Sequence, residues 1–173
     1  MITWKLPPII KIYEALGCLA DDRVQITSSH LAKVYASDNS KFYTVYYHHP
    51  QILSNDNGSY WKGYLGYPPI AFLIKTNVIQ SLPTAHKLLQ SIPWKKLNLK
   101  FKYDYDQVIN FIHQQLLKQN HDPTLLTQTA TLILKQLQSL KLQVYPYRLR
   151  PPKDLTDSQK LFDQLTHKLN LQP

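Results

Sequence analysis

Apolar residues recur along this chain in two rhythms, and the switch between them predicts its elements. After Pro7-Pro8, residues Ile9, Ile12, Tyr13, Leu16 and Leu19 keep the i, i+3, i+4, i+7 spacing of an amphipathic helix, with Lys11 and Glu14 off the stripe. Asp21-Asp22 closes that helix. From Arg23 the period falls to two. Val24 and Ile26 share a face, Ser28-Ser29 turns the chain, and Leu31 to Ser37 alternates again. Asp38-Asn39-Ser40 is a hairpin-type turn leading into Lys41 to His49, where Phe42, Thr44 and Tyr46 face one way and Tyr43, Val45 and Tyr47 the other. Large side chains on both faces predict a central strand, or one whose second face meets another element. Pro50 ends it, and Gln51 to Leu53 predicts a short further strand.

The stretch from Ser54 to Asn77 organises the rest. It holds three of the four glycines, Gly58, Gly63 and Gly66. Asn55-Asp56-Asn57-Gly58 is a tight turn, because Asn, Asp and Gly accept the left-handed backbone region. Tyr60, Trp61, Tyr64 and Tyr67 follow as an aromatic cover. Pro68-Pro69 then opens a helix through Ile70, Ala71, Phe72, Leu73 and Ile74, apolar enough to predict full burial.

Beyond residue 80 the helical rhythm dominates. Pro83 opens a short helix through Leu88, Leu89 and Ile92, ended by Pro93. Trp94 to Tyr103 alternates basic and apolar residues and reads as a strand-like connector with its lysines in water. Asp104 to Gln119 and the segment after Asp122-Pro123 each carry a long apolar stripe, predicting an antiparallel helical hairpin. After the Tyr147–Lys153 linker, a last helix capped near Thr156 or Asp157 carries Leu161, Phe162, Leu165 and Leu169. It is expected to dock on the hairpin or to grip another subunit. The fold class is α+β: an N-terminal helix, a small antiparallel β-meander with a buried helix, then a C-terminal helical hairpin and tail helix. Residues 1–80 form the α+β part and residues 81–173 a helical region packing on it, together one globular unit.

Length and apolar content fit such a domain: 173 residues, 43% hydrophobic. The longest apolar run, Ile70 to Ile74, is too short to cross a bilayer, and the N-terminus has no signal-peptide pattern, so a cytoplasmic protein without a membrane partner is expected. One cysteine, Cys18, excludes an internal disulfide and a cysteine-based metal cluster. His48-His49 on a strand would point to opposite faces, so no metal site is expected there. No nucleophile motif and no phosphate-cradling glycine loop occurs, which argues for a non-catalytic module without a cofactor.

Charge changes the picture more. The net charge is +9, and its excess lies late in the chain: residues 1–80 carry seven Lys/Arg against five Asp/Glu, whereas residues 81–150 carry ten against three. Such a surplus favours anionic partners, nucleic acid first, through counterion release from phosphates. Lys95, Lys96, Lys100 and Lys102 interleave with Trp94 and other apolar residues, the pattern of a single-strand groove in which rings stack on bases and lysines follow phosphates. Trp61 and Lys62, and Arg148, Arg150 and Lys153 in the linker, complete the candidate nucleic-acid-binding set. The alternative is a protein-interaction subunit, with a protein partner or a homo-oligomer held by the Gln/Leu helices and the tail.

A hairpin ending in Phe42-Tyr43-Thr44-Val45, a polar turn, a glycine-containing loop and a helix with Ile70-Ala71-Phe72-Leu73 together resemble the SWIM zinc-finger domain over about residues 31–75. That family carries a C-x-C pair after the strand and a C-x-H pair opening the helix. Here Leu53-Ser54-Asn55-Asp56 and Gly66-Tyr67-Pro68-Pro69 stand in those places, so a four-ligand zinc site is excluded. The resemblance implies nucleic-acid or partner binding, with Tyr60, Trp61, Tyr64 and Tyr67 holding together what metal holds elsewhere.

Overall fold

A computed structural model describes residues 2–170 of the chain. The order is α1 (Ile9–Ala20), β1 (Val24–Ser28), β2 (Leu31–Tyr35), β3 (Phe42–His48), β4 (Gln51–Ser54), α2 (Tyr67–Lys75), α3 (Pro83–Lys87), α4 (Trp94–Lys100), α5 (Tyr105–Lys118), α6 (Thr124–Leu140), β5 (Gln143–Val144) and α7 (Leu155–Lys168), with one π-helical turn at Gly58–Lys62. This is the α+β arrangement that the two rhythms predict. Strands β1 to β4 run antiparallel in chain order, and β5 adds to β4 in parallel.

Strand β3 lies in the middle of the five, and the sequence explains why. Its inward residues, with Ala32 and Val34 of β2 opposite Val45 and Tyr43, face a core that includes Phe72, Ile70 and all of the buried stripe of α1. Its outward residues Phe42 and Tyr46 join Leu31 and Leu53 in a second cluster, closed by Leu149, Leu161, Phe162 and Leu165. Two apolar faces on one strand require a cover on each side. Helix α2 supplies one and α7 the other.

Helix α1 is the hub of the inner layer. Ile10, Ile12, Ala15, Leu16 and Cys18 are fully buried, and α2, α3, α5 and α6 all pack on it. Gly17 is needed there: a Cβ at that position would lie 2.7 Å from Trp94 Nε1 and 3.0 Å from the Leu89 carbonyl. Cys18 belongs to this core, its thiol pushed up to about 12 by burial, so it is no nucleophile at neutral pH. Among the described residues, no helix is long and apolar enough to cross a membrane.

Three sequence expectations need correction. Residues Trp94 to Tyr103 are not a strand-like connector: they form helix α4 and its C-terminal turn. Trp94, Leu97, Asn98 and Phe101 also satisfy the i, i+3, i+4, i+7 rule, and burying Trp94 at 4% and Leu97 at 8% exposure leaves Leu99 in water at 55%, which alternation would have buried. The tail helix does not dock on the hairpin. It covers the outer face of the sheet, and its cap is Asp154, which accepts from Asp157 N–H, rather than Thr156 or Asp157. Strand β5 was not expected at all. Two residues carry no readable period, and the pairing comes from neighbours: Gln143 N–H reaches the Pro50 carbonyl and Tyr145 N–H the Ile52 carbonyl.

Candidate functional site: an aromatic, lysine-rimmed cleft

Between the β2–β3 turn, the π-turn and α4 lies an open cleft of about 780 Å³. Ligand sites fall in the range of roughly 300–1,000 Å³. Its lining joins α1 (Lys11, Glu14), the β2–β3 turn (Ala36, Ser37, Asp38, Ser40, Lys41), Asp56 to Gly58, Trp61 and Lys62 of the π-turn, and α4 with the turn after it (Trp94, Lys95, Asn98, Tyr103). Tyr43, Tyr64, Tyr67 and Tyr105 supply most of the remaining wall. Sequence-distant residues meet here because α1, α2 and the sheet meet here.

The deep end is polar, and its two charged groups pair with each other. Glu14 is 3% exposed. It accepts from Lys11 Nζ at 2.8 and 2.9 Å and from Asn98 Nδ2 at 2.9 Å. For Lys11 the burial itself lowers the pKa, but the Glu14 carboxylate outweighs it and raises the ammonium above the ordinary lysine range. Burial pushes the phenols of Tyr43, Tyr64 and Tyr67 up as well. The wall is therefore protonated tyrosine and a neutralised ion pair at neutral pH, a surface suited to rings.

The rim is different. Trp61 is 69% and Tyr103 58% exposed, so both present free ring faces. Lys95 Nζ bonds Asp38 at 2.7 Å and holds that carboxyl well below its usual range. Lys41 donates to the Pro152 carbonyl at 2.9 Å, and burial, helped by the charge of Lys95, lowers its pKa. Among the lining residues four lysines face three carboxylates, and Lys41 and Lys62 lack a carboxylate partner among the described ion pairs.

A hydrogen-bonded carboxylate builds the wall that carries Trp61. Asp56 is 4% exposed and takes Ser54 Oγ–H at 2.7 Å, Ser59 Oγ–H at 2.6 Å and Ser59 N–H at 3.0 Å. Ser59 Oγ in turn accepts Gly66 N–H at 3.1 Å. Beside it, Asn55 Oδ1 accepts Thr44 N–H at 2.7 Å. These bonds fix the turn between β4 and α2, and thereby the direction of the π-turn. The tyrosines add to the cover: Tyr67 packs edge-on against Tyr43 with centroids 6.1 Å apart.

The ten residues singled out from sequence divide. Trp61, Lys62, Trp94 and Lys95 line the cleft. Trp94, at 4% exposure, has no free face for a base, so its expected stacking role is withdrawn and it serves as packing beneath the site. Lys96, Lys100 and Lys102 lie on α4 or its C-terminal turn outside the lining, with Lys100 resting over the rings of Phe101 and Phe111. Arg148 sits over Tyr60, whose ring meets Trp61 edge-on at 4.6 Å, so a short Arg–Tyr–Trp chain of contacts runs from the linker to the rim. Arg150 is held by both carboxylate oxygens of Asp157 at 2.6 and 2.7 Å, which removes it from the free cations. Lys153 is exposed and its N–H bonds Asp157. Sequence reading missed Lys11, Glu14, Lys41, Asn98 and Tyr103. Their types carry no motif; twelve tyrosines in 173 residues was the one signal available.

A family model described as Uncharacterised conserved protein UCP014422 matches residues 4–143. The chain belongs to that family. No curated protein and no solved structure matches it. Every residue lining the cleft falls inside the UCP014422 match, whereas the linker and α7 fall outside it.

Proposed function

We propose that this protein is a non-catalytic single-stranded nucleic-acid-binding module whose bases enter the cleft. The observation that carries this reading is the pair of exposed rings, Trp61 and Tyr103, set on the rim of one cleft with Lys62, Lys95 and Lys41 around it. Rings give sequence-tolerant stacking, worth about 1–3 kcal/mol per base, and lysines give the phosphate term. From the rim the backbone of a strand would have cations on both sides: Lys96 and Lys100 on α4 with Lys102 in the turn after it, and Arg148 beyond the Tyr60–Trp61 pair. The overall charge of +9 and the resemblance to the SWIM domain point the same way.

Fluorescence anisotropy with single-stranded and duplex DNA and RNA, at roughly 50 and 200 mM salt, tests it, because phosphate-dominated binding weakens by orders of magnitude across that interval. Single strands should bind better than duplex. Trp61→Ala and Tyr103→Ala should each weaken binding about tenfold, the value of one stacked base. Absence of binding at the lower salt would contradict the reading. It would turn attention to a protein partner on α5 and α6, whose outer faces leave Leu117 and Leu132 exposed.

A further inference from the structure

The wall of the cleft opposite the π-turn is the β2–β3 turn, and it is held from both sides. On the cleft side, Lys95 N–H reaches Ser37 Oγ at 3.4 Å and Lys95 Nζ bonds Asp38. On the other side stands the C-terminal segment. Phe42 N–H, the first strand residue after the turn, donates to Ser158 Oγ at 3.1 Å, and Lys41 Nζ donates to the Pro152 carbonyl at 2.9 Å. Ser158 is 1% exposed and its own hydroxyl donates back to the Asp154 carbonyl at 2.7 Å, so its oxygen is fixed to accept.

Pro152 is in turn tied to α7. Asp157, in the first turn of α7, accepts Arg150 through both oxygens and Lys153 N–H at 2.9 Å. The linker thus moves with the first turn of the helix. What seats the helix is the second apolar cluster, with Phe162 edge-on to Phe42 at 6.2 Å and Lys33 Nζ between the two rings at 4.6 and 5.0 Å. That cluster is separate from the main core and lies on the far side of the sheet. A helix attached through a small cluster of its own is the kind of unit that opens locally while the rest stays folded.

We propose that α7 is the clamp that sets the cleft wall: docked on β3 it fixes the β2–β3 turn with Lys41 in place, and undocked it releases that wall. The cleft is built by residues inside the family match, and α7 lies outside it. Lys41 and the Asp38–Lys95 pair are then positioned by α7 and the linker tied to its first turn, none of whose residues lines the cleft. The claim does not depend on which ligand the cleft takes.

Amide hydrogen exchange read by mass spectrometry on the full chain tests it without a ligand. In Leu165→Ala, a residue with no solvent exposure in the second cluster, α7 should exchange at least about tenfold faster, and residues 36–42 should accelerate with it, while α1 and α2, which belong to the main core, keep the parent rates. Ser158→Ala provides the second variant, in case Leu165→Ala does not fold. It removes the side-chain acceptor for Phe42 N–H together with the hydroxyl's bond to the Asp154 carbonyl, leaves the apolar seat of α7 intact, and should speed exchange over residues 36–42. Faster exchange in α7 with residues 36–42 at their parent rate, or an unchanged rate over 36–42 in Ser158→Ala, would overturn the proposal.

Discussion

A Cβ on Gly66 would fall on the Asp56 carboxylate, whose oxygens already hold Ser54 and Ser59. Gly66→Ala must therefore displace a buried, bonded charge, an overpacking cost of about 1–3 kcal/mol. A thermal melt should show Gly66→Ala lower by several degrees, and Trp61 fluorescence should change because the π-turn rests on the same bonds. Lys11 and Glu14 make a second residue-scale test. With Lys11 13% and Glu14 4% exposed at the side chain, Lys11→Met leaves a buried carboxylate unpaired and should cost about 3–5 kcal/mol in urea unfolding, whereas Lys11→Met with Glu14→Leu should recover most of it. Neither group was readable as a site. Lys11 and Glu14 lie off the apolar stripe of α1, which in an ordinary amphipathic helix means solvent, yet the closure of α4 and Tyr105 over that side buries them.

Helix α1 sits where four other helices meet, and its sequence shows as much: an apolar stripe extended by Ala15 and Cys18 leaves little of the helix for water. Leu16→Ala should cost about 2–5 kcal/mol, since the cavity would open where no neighbour can collapse without moving a helix. The elements with long periodic stripes, α1, α5 and α6, and the alternating strands β1 to β3, were legible for this reason. Trp94 to Phe101 was not, because its eight residues satisfy both periods, and only the burial of Trp94 with Leu97 while Leu99 stays exposed decides between them. The seat of α7 was half-legible. Phe42 and Tyr46 announce an outward apolar face on β3, but nothing in the sequence pairs that face with Phe162 until the chain closes. The rim fared similarly: Lys95, Lys96, Lys100 and Lys102 read as the water-facing lysines of one connector, but on α4 and the turn after it they separate, and of the four only Lys95 lines the cleft.

At the scale of the molecule, charge and titration act together. Lys11 and the phenols of Tyr43, Tyr64 and Tyr67 have folded pKa values raised above their ordinary values of 10.5 and 10.0. The folded chain then keeps protons that the unfolded chain releases, so their stabilisation is complete below about pH 10 and is lost as pH rises past it. Urea midpoints should be flat from about pH 7 to 9 and fall by about pH 11, with phenolate absorbance lagging until the chain unfolds. The surplus of cations bears on the proposed binding rather than on the fold. Ultraviolet cross-linking of the full chain to a short single-stranded oligonucleotide, with the adducts mapped by mass spectrometry, locates the contact directly. The account predicts adducts on Trp61 and Tyr103, both lost in high salt. Adducts confined to α5 and α6, with the cleft residues unmodified, would contradict it.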